Sequence, residues 1–253
     1  MGISQTKWTL GIVAIVIIAV AAIFVYQSKV SNIPSTQPTS QESTTIGKIT
    51  DITFVNHIQA KLPEQDVFIQ SKDDSSKVIR VEGETASDPS VLAQTVYATA
   101  VETPHDPFKV GDNPLGPFQK GVNLGFNLED WLAATGKGTY SVDGDDAELS
   151  LSFTNLVPNS TYTVWCSRIT FPPTPNVVDR PCGAADGSEN VFTTDENGNG
   201  LFSVKMEPLE PSTKETVSAI ALAYHSDGKT YAESPGNFGL NSHVQIFYLL
   251  PAQ

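Results

Sequence analysis

Four histidines, His57, His105, His225 and His243, are the side chains of this sequence best suited to bind a transition metal. His225 ends the apolar run SAIALAYH and His243 begins the run HVQIFYLL. If these runs pair as antiparallel strands, the two imidazoles would meet at one sheet edge, where they could bind copper or zinc. His105 is a candidate third ligand, although its spacing is not diagnostic. The alternative is that each histidine caps a strand end or hydrogen-bonds the loop between the runs.

A second candidate ion site lies in the turn that begins at Asp195. Asp195, Asn197 and Asn199 match the first half of a calcium loop, D-x-N-x-N-G. The twelfth position is Met206 instead of a bidentate glutamate, and strand-like runs flank the turn. We therefore expect an ordinary hairpin turn here in preference to a Ca²⁺ site.

The two cysteines, Cys166 and Cys182, flank a proline-rich insert. In an exported chain this arrangement predicts a disulfide that closes the loop. A copper-thiolate site would need a histidine and usually a methionine shortly after the cysteine, and SRITFPP follows Cys166 instead. No Walker loop, dinucleotide fingerprint, HExxH or GxSxG motif is present. The residues identify no enzyme class and favour a non-catalytic role.

An uncharged block of nineteen residues, Trp8 to Tyr26, lies close to the amino terminus. As a helix it would be about 28 Å long, which matches the hydrocarbon core of a bilayer, and aromatic residues stand at both ends. We predict a cytoplasmic end over 1–7 and a transmembrane signal anchor over 8–27, with the remainder outside the cell membrane. The alternative is a signal peptide cleaved after Ala21, which would leave an apolar AIFVY at the mature end.

Residues 28–45 are rich in Ser, Thr, Pro and Gln, a composition typical of a flexible stalk. The whole chain has 15 basic and 28 acidic residues, for a formal charge of −13. Setting aside Lys7 and Lys29 beside the anchor leaves 13 basic against 28 acidic residues, or −15. Such an acidic surface repels phosphate backbones, so nucleic acid is excluded as the expected partner.

Residues 46–253 contain short β-branched and aromatic runs separated by turn residues, which predicts an all-β antiparallel sandwich. The runs SAIALAYH and VQIFYLL are apolar on both faces and are predicted to be central strands. One short helix is expected, with Asn127 as N-cap, Leu128 to Thr135 as its body and Gly136 as its stop. A Pro- and Gly-rich stretch near 105–120 is predicted to be a linker that splits the region or a long surface loop. The eleven runs are ITDITFVNHI, DVFIQS, KVIRVEG, QTVYATAVE, GTYSV, AELSLSFTNL, TYTVWCSRI, NVFTTD, GLFSVKME, SAIALAYH and HVQIFYLL.

The segment LVPNSTY, residues 156–162, lies between two of the predicted strands and has the spacing L-x-P-x-[ST]-x-Y. It resembles the tyrosine corner of fibronectin type III and immunoglobulin-like Greek-key sandwiches. The resemblance implies a structural role for Tyr162, whose hydroxyl would bond to the backbone upstream. It covers about forty residues, because the insert after the second strand departs from the family pattern.

Together these features predict a single-span membrane protein that holds an acidic β-sandwich outside the cell. We expect a non-catalytic binding or structural module for an extracellular ligand or protein. The alternative is an extracytoplasmic copper or zinc protein that uses His225 and His243.

Overall fold

The computed structural model describes residues 47–105, 115–171 and 176–252. Within these ranges the chain forms thirteen strands and two short helices, and the paired strands run antiparallel. The fold is therefore all-β, as the sequence predicts. The elements are β1 (Lys48–Thr53), β2 (Phe68–Gln70), β3 (Lys77–Ile79), α1 (Pro89–Leu92), β4 (Thr95–Thr99), β5 (Phe118–Asn127), α2 (Leu128–Leu132), β6 (Thr135–Asp143), β7 (Asp146–Thr154), β8 (Thr161–Thr170), β9 (Asn176–Pro181), β10 (Val191–Thr193), β11 (Gly200–Met206), β12 (Thr216–His225) and β13 (Ser242–Leu249).

Two sheets pack face to face around the main core. The four-stranded sheet has the order β1-β6-β7-β11. In the five-stranded sheet, β9 and β10 pair with different parts of β8, which is followed by β12 and then β13. Leu149, Leu151 and Phe153 of β7 alternate with less buried residues and join Ile220 and Leu222 of β12 in one buried cluster. This alternation is the pattern of a strand with one buried face.

Strands β2, β3, β5 and β4 close into a small barrel. Its residues Ile69 and Val96 belong to the same buried cluster as the inner side chains of the sandwich. The apolar core is therefore continuous between the barrel and the two sheets.

Each of the eleven predicted runs overlaps a strand, and two strands were not predicted. Strand β5 lies partly in the Pro- and Gly-rich stretch, and β9 lies within the proline-rich insert. The central position predicted for the last run is wrong, because β13 ends its sheet. It is nevertheless buried throughout, and the backbones of Val55 and Phe247 exchange two hydrogen bonds at its outer edge. The position of β12 between β8 and β13 is confirmed.

The helix α2 is shorter than predicted. Asn127 is its N-cap, and Asn127 and Asp130 form a reciprocal capping box. The helix ends at Leu132, and Gly136 lies inside β6 instead of stopping the helix. A Cβ at Gly136 would stand 2.7 Å from the Phe153 ring, so this glycine permits close packing between strands.

Two predicted structural links are present. Cys166 and Cys182 form a disulfide with a Cα–Cα distance of 5.1 Å, and both residues are buried. The Tyr162 hydroxyl accepts a hydrogen bond from the Val157 backbone N–H at 2.9 Å and donates one to Gln245 Oε1 at 2.8 Å. The first of these is the upstream backbone contact that the tyrosine-corner motif implies.

The segments predicted to form the anchor and the stalk, 8–27 and 28–45, lie outside the described residues. Among the residues that the structure describes, no helix has the length and apolar character needed to cross a bilayer.

Candidate functional site

An apolar groove lies on the outer face of the five-stranded sheet. Its floor includes Ala219 and Ala221 of β12, whose neighbours Ile220 and Leu222 belong to the sandwich core. Because successive strand residues point to opposite faces, a strand that is apolar on both faces covers the core with one and lines this groove with the other. The small alanine side chains leave room above the sheet.

Larger apolar side chains form the sides of the groove. They come from β8, β9, β13 and the loop between β12 and β13, and the cavity between them has a volume of about 50 Å³. This volume is well below the roughly 300–1,000 Å³ that is usual for ligand sites, so a bound molecule would lie along the open groove with part of its surface exposed. These side chains are those of Trp165, Ile169, Val177, Pro235, Phe238, Val244, Phe247 and Leu249.

Four polar side chains complete the lining: His57, His105, Ser167 and Asp179. Ser167 and Asp179 are paired across β8 and β9, and the Ser167 hydroxyl donates to Asp179 Oδ1 at 2.5 Å. Since this hydroxyl serves a carboxylate instead of an imidazole, the lining residues do not form a Ser–His–carboxylate triad. The groove has the composition of a binding site, with an apolar body and a few polar groups.

His105 is held by a buried carboxylate. Its Nδ1 lies 2.8 Å from Oδ1 of Asp66, whose Oδ2 accepts the Val244 N–H at 2.9 Å. Burial disfavours the ionised carboxyl, but the charge and hydrogen bond of His105 outweigh it and lower the pKa of Asp66. Burial also disfavours the protonated form of His105, but the attraction of the imidazolium to Asp66 outweighs burial and raises the pKa of His105. The pair is therefore an internal ion pair below the raised pKa of the imidazole.

A second histidine and carboxylate lie beside the first pair. His57 Nδ1 is 3.4 Å from Glu64 Oε1, and both side chains are buried. Neither His57 Nδ1 nor Glu64 Oε2 has a hydrogen-bond partner among the described residues. The rings of His57 and His105 lie 6.3 Å apart, so two imidazoles with carboxylate neighbours share the groove.

Arg80 connects the two backbone segments that carry these groups. Its Nε donates to the Gln65 carbonyl at 2.8 Å, and a terminal nitrogen donates to the Pro104 carbonyl at 2.6 Å. Its guanidinium also lies 4.9 Å from the centre of the Phe118 ring. Arg80 therefore fixes the residues that immediately precede Asp66 and His105.

The indole of Trp165 is held by a chain of hydrogen bonds that includes two further side chains. Its Nε1–H donates to Thr163 Oγ1 at 2.7 Å, and Thr163 Oγ1 lies 2.7 Å from His225 Nε2. The Thr163 hydroxyl therefore links the indole to the imidazole of His225. Burial lowers the pKa of His225 to about 4, so the ring is neutral at pH 7.

The predicted metal ligands have protein partners in this structure. Both ring nitrogens of His243 are hydrogen-bonded, Nδ1 with the Asp66 carbonyl at 2.7 Å and Nε2 with Ser226 Oγ at 2.9 Å. His225 binds Thr163, and His105 binds Asp66. Across 47–105, 115–171 and 176–252, no three His, Cys, Asp or Glu side chains are grouped as a metal site requires. Copper or zinc at His225, His243 and His105 stays a prediction, and these contacts favour the hydrogen-bonding alternative.

The predicted calcium ligands also bond among themselves. Asp195 Oδ1 accepts the backbone N–H groups of Asn197 and Asn199 at 2.9 and 2.8 Å, and Asp195 Oδ2 accepts the Asn199 amide at 2.9 Å. These contacts are typical of an aspartate that closes its own turn. Calcium binding at this turn stays a prediction.

No protein-family model matches the chain, and no match is found among curated proteins. The case for a function therefore depends on the geometry of the groove.

Sequence reasoning missed several groove residues, among them Asp66, Trp165, Ser167 and Asp179. Two local signals indicated that the outer face of this sheet is largely apolar. They are the alternation of Trp165, Ser167 and Ile169 along β8 and the two apolar faces of β12. The loop between His225 and His243 was the expected ligand site, and it supplies Pro235 and Phe238 to the wall.

Proposed function

We propose that this protein is a membrane-anchored binding module that holds a small apolar molecule in the groove. The observation that supports this is the pair of alanines, Ala219 and Ala221, below a wall of aromatic and aliphatic side chains. Ala219 is buried and Ala221 is half-buried, so Ala221 leaves apolar surface uncovered on a strand whose other face packs the core. A ligand would cover that surface.

The expected affinity follows from the apolar area that a ligand loses to the groove. Burial contributes about 0.8 kcal/mol per methylene, so a ten-carbon chain gains at most about 8 kcal/mol. Lost translational freedom and the ordering of the chain reduce this gain. We expect a Kd between roughly 1 mM and 1 μM for a simple ten-carbon probe.

The test uses the full chain in phosphatidylcholine nanodiscs, titrated with 1-decanol. Trp165 lines the groove, so its emission should change on binding, and a Trp165→Phe variant identifies the part of the signal that this indole supplies. Ala221→Leu fills the floor and should weaken binding at least about tenfold. Ala93→Leu adds the same bulk at an exposed alanine as the control. Equal binding by the wild-type and Ala221→Leu proteins would overturn the proposal.

We also propose that the module lies outside the cell on an N-terminal anchor. The uncharged block 8–26 and the serine- and threonine-rich segment 28–45 support this, as does the disulfide, because such bonds persist in oxidising compartments. Carbonate washing of membranes should leave the chain in the pellet, and protease added to intact cells should remove residues 47–253. Release by carbonate, or protection from the protease, would contradict this arrangement.

A structural relation to fibronectin type III and immunoglobulin-like sandwiches is part of the same proposal. The Tyr162 hydroxyl and its bond to the Val157 N–H support it. Sandwiches of this class serve many functions, so the relation adds nothing to the choice of ligand.

A further inference from the structure

The apolar groove adjoins a second depression, here called the acidic pocket, and Asp179 lines both. The charged residues of the acidic pocket are Asp179, Arg180, Glu207 and Glu233. A ligand in the groove therefore has one end close to a surface where three carboxylates face one guanidinium.

The layer of charges beside the groove is balanced. Glu64 and Asp66 are both buried, and Arg80 and His105 lie close enough to act on them electrostatically. Two carboxylates thus meet one guanidinium and one imidazole that is cationic below its pKa. Asp179 also lies close enough to His105 to raise the pKa of that imidazole, so the excess negative charge near a bound ligand is that of the acidic pocket as a whole, with three carboxylates and one guanidinium.

Asp179 has capacity for another hydrogen bond. The Ser167 hydroxyl occupies Oδ1, and the part of the chain that the structure describes gives Asp179 no other hydrogen bond. A carboxylate accepts about four hydrogen bonds, so it can also receive a charged N–H group. His57, almost fully buried on the groove lining, has its Nδ1 directed to Glu64 Oε1 at 3.4 Å. Asp179 is therefore the polar group of the groove that can accept a hydrogen bond from a ligand.

We propose that the ligand of the groove is a lipophilic cation, an alkyl or aryl amine whose ammonium group binds Asp179 while its apolar body lies on Ala219 and Ala221. This inference depends on the proposed function of the groove. A carboxylate or phosphate head would meet the excess of negative charge at the acidic pocket, and a neutral head would gain no ion pair.

Three probes with the same chain length test the charge of the ligand: decylamine, 1-decanol and decanoate. Each is titrated at pH 7 into the full chain in phosphatidylcholine nanodiscs, below its micellar concentration, with Trp165 emission as the readout. We expect decylamine to bind about tenfold more tightly than decanol, and decanoate to bind more weakly than decanol. Asp179→Asn should remove the advantage of the amine, so that decylamine and decanol bind with similar affinity, because asparagine can still accept from Ser167 but carries no charge. Asp145→Asn, which removes an exposed carboxylate from the β6–β7 turn, is the matched control.

The outcomes separate this inference from the proposed function. If decanol or decanoate binds as tightly as decylamine, or if Asp179→Asn leaves the preference intact, the cationic ligand is wrong although the groove binds. If no probe binds in a manner that Ala221→Leu weakens, the groove itself is not a binding site.

Discussion

His225 makes the stability of the fold sensitive to acid, and lowering the pH from 7 to 5 is the perturbation that shows it. Nε2 of the buried ring is hydrogen-bonded with the Thr163 hydroxyl, and its Nδ1 has no partner among the described residues. Burial lowers the pKa of His225 from 6.5 to about 4. Between these values the unfolded chain binds a proton at His225 that the folded chain does not bind. Stability contributed by this group is therefore lost as the pH falls.

The size of the effect follows from the two pKa values. At pH 5 nearly all unfolded chains carry the proton and few folded chains do, which costs about 2 kcal/mol relative to pH 7. His243 is buried with a lowered pKa and acts in the same direction. His105 has a raised pKa, and its stabilising contribution is present below 6.5 and lost as the pH rises through the raised value.

A His225→Gln variant isolates the contribution of this ring, because glutamine does not titrate and the other histidines are unchanged. Urea unfolding of the full chain, followed by circular dichroism at pH 7 and pH 5, gives four free energies of unfolding. The loss between pH 7 and pH 5 should be about 2 kcal/mol smaller in the variant than in the wild-type protein. An equal loss in both proteins would refute the argument that His225 is held neutral.

Two further predictions concern the links that hold β8. Replacing Cys166 and Cys182 by serine should lower the free energy of unfolding by about 3 kcal/mol, measured by urea titration, since the disulfide closes a sixteen-residue separation; an unchanged value would contradict a formed bridge. Tyr162→Phe should cost about 2 kcal/mol in the same assay because it leaves the Val157 N–H and Gln245 Oε1 without this partner, and a cost below about 0.5 kcal/mol would show that water replaces the hydroxyl.

The sequence predicted the β class because period-2 alternation and turn residues are local signals. AELSLSF shows this most clearly, with Leu149, Leu151 and Phe153 all in the core. The missed strand β9 has few local signals, since prolines precede it and its pairing depends on β8. The error at β13 has a similar origin, because an apolar strand can be buried at a sheet edge when another segment of the same chain covers it.

The groove was harder to predict than the sheets. Asp66 and Asp179 lie more than one hundred residues apart in the sequence, and only the folded chain places His105 near both. Histidine spacing drew attention to His225 and His243, whose rings are occupied by hydrogen bonds that sequence patterns do not reveal. Sequence alone therefore indicated the loop that forms one wall but missed the strand face that forms the floor.

The disulfide stands directly beside the strand that carries Asp179. Cys182 follows β9, and its backbone N–H donates to the Val164 carbonyl at 3.1 Å, which continues the pairing with β8. The covalent bond thus holds an edge strand whose only partner in its sheet, within the described ranges, is β8. We expect the reduced chain to bind groove ligands more weakly, a difference that titration with and without a thiol reductant would measure. If the chain is exported as we propose, oxidation would then serve as a maturation step that strengthens binding after the chain has left the reducing compartment in which it was made.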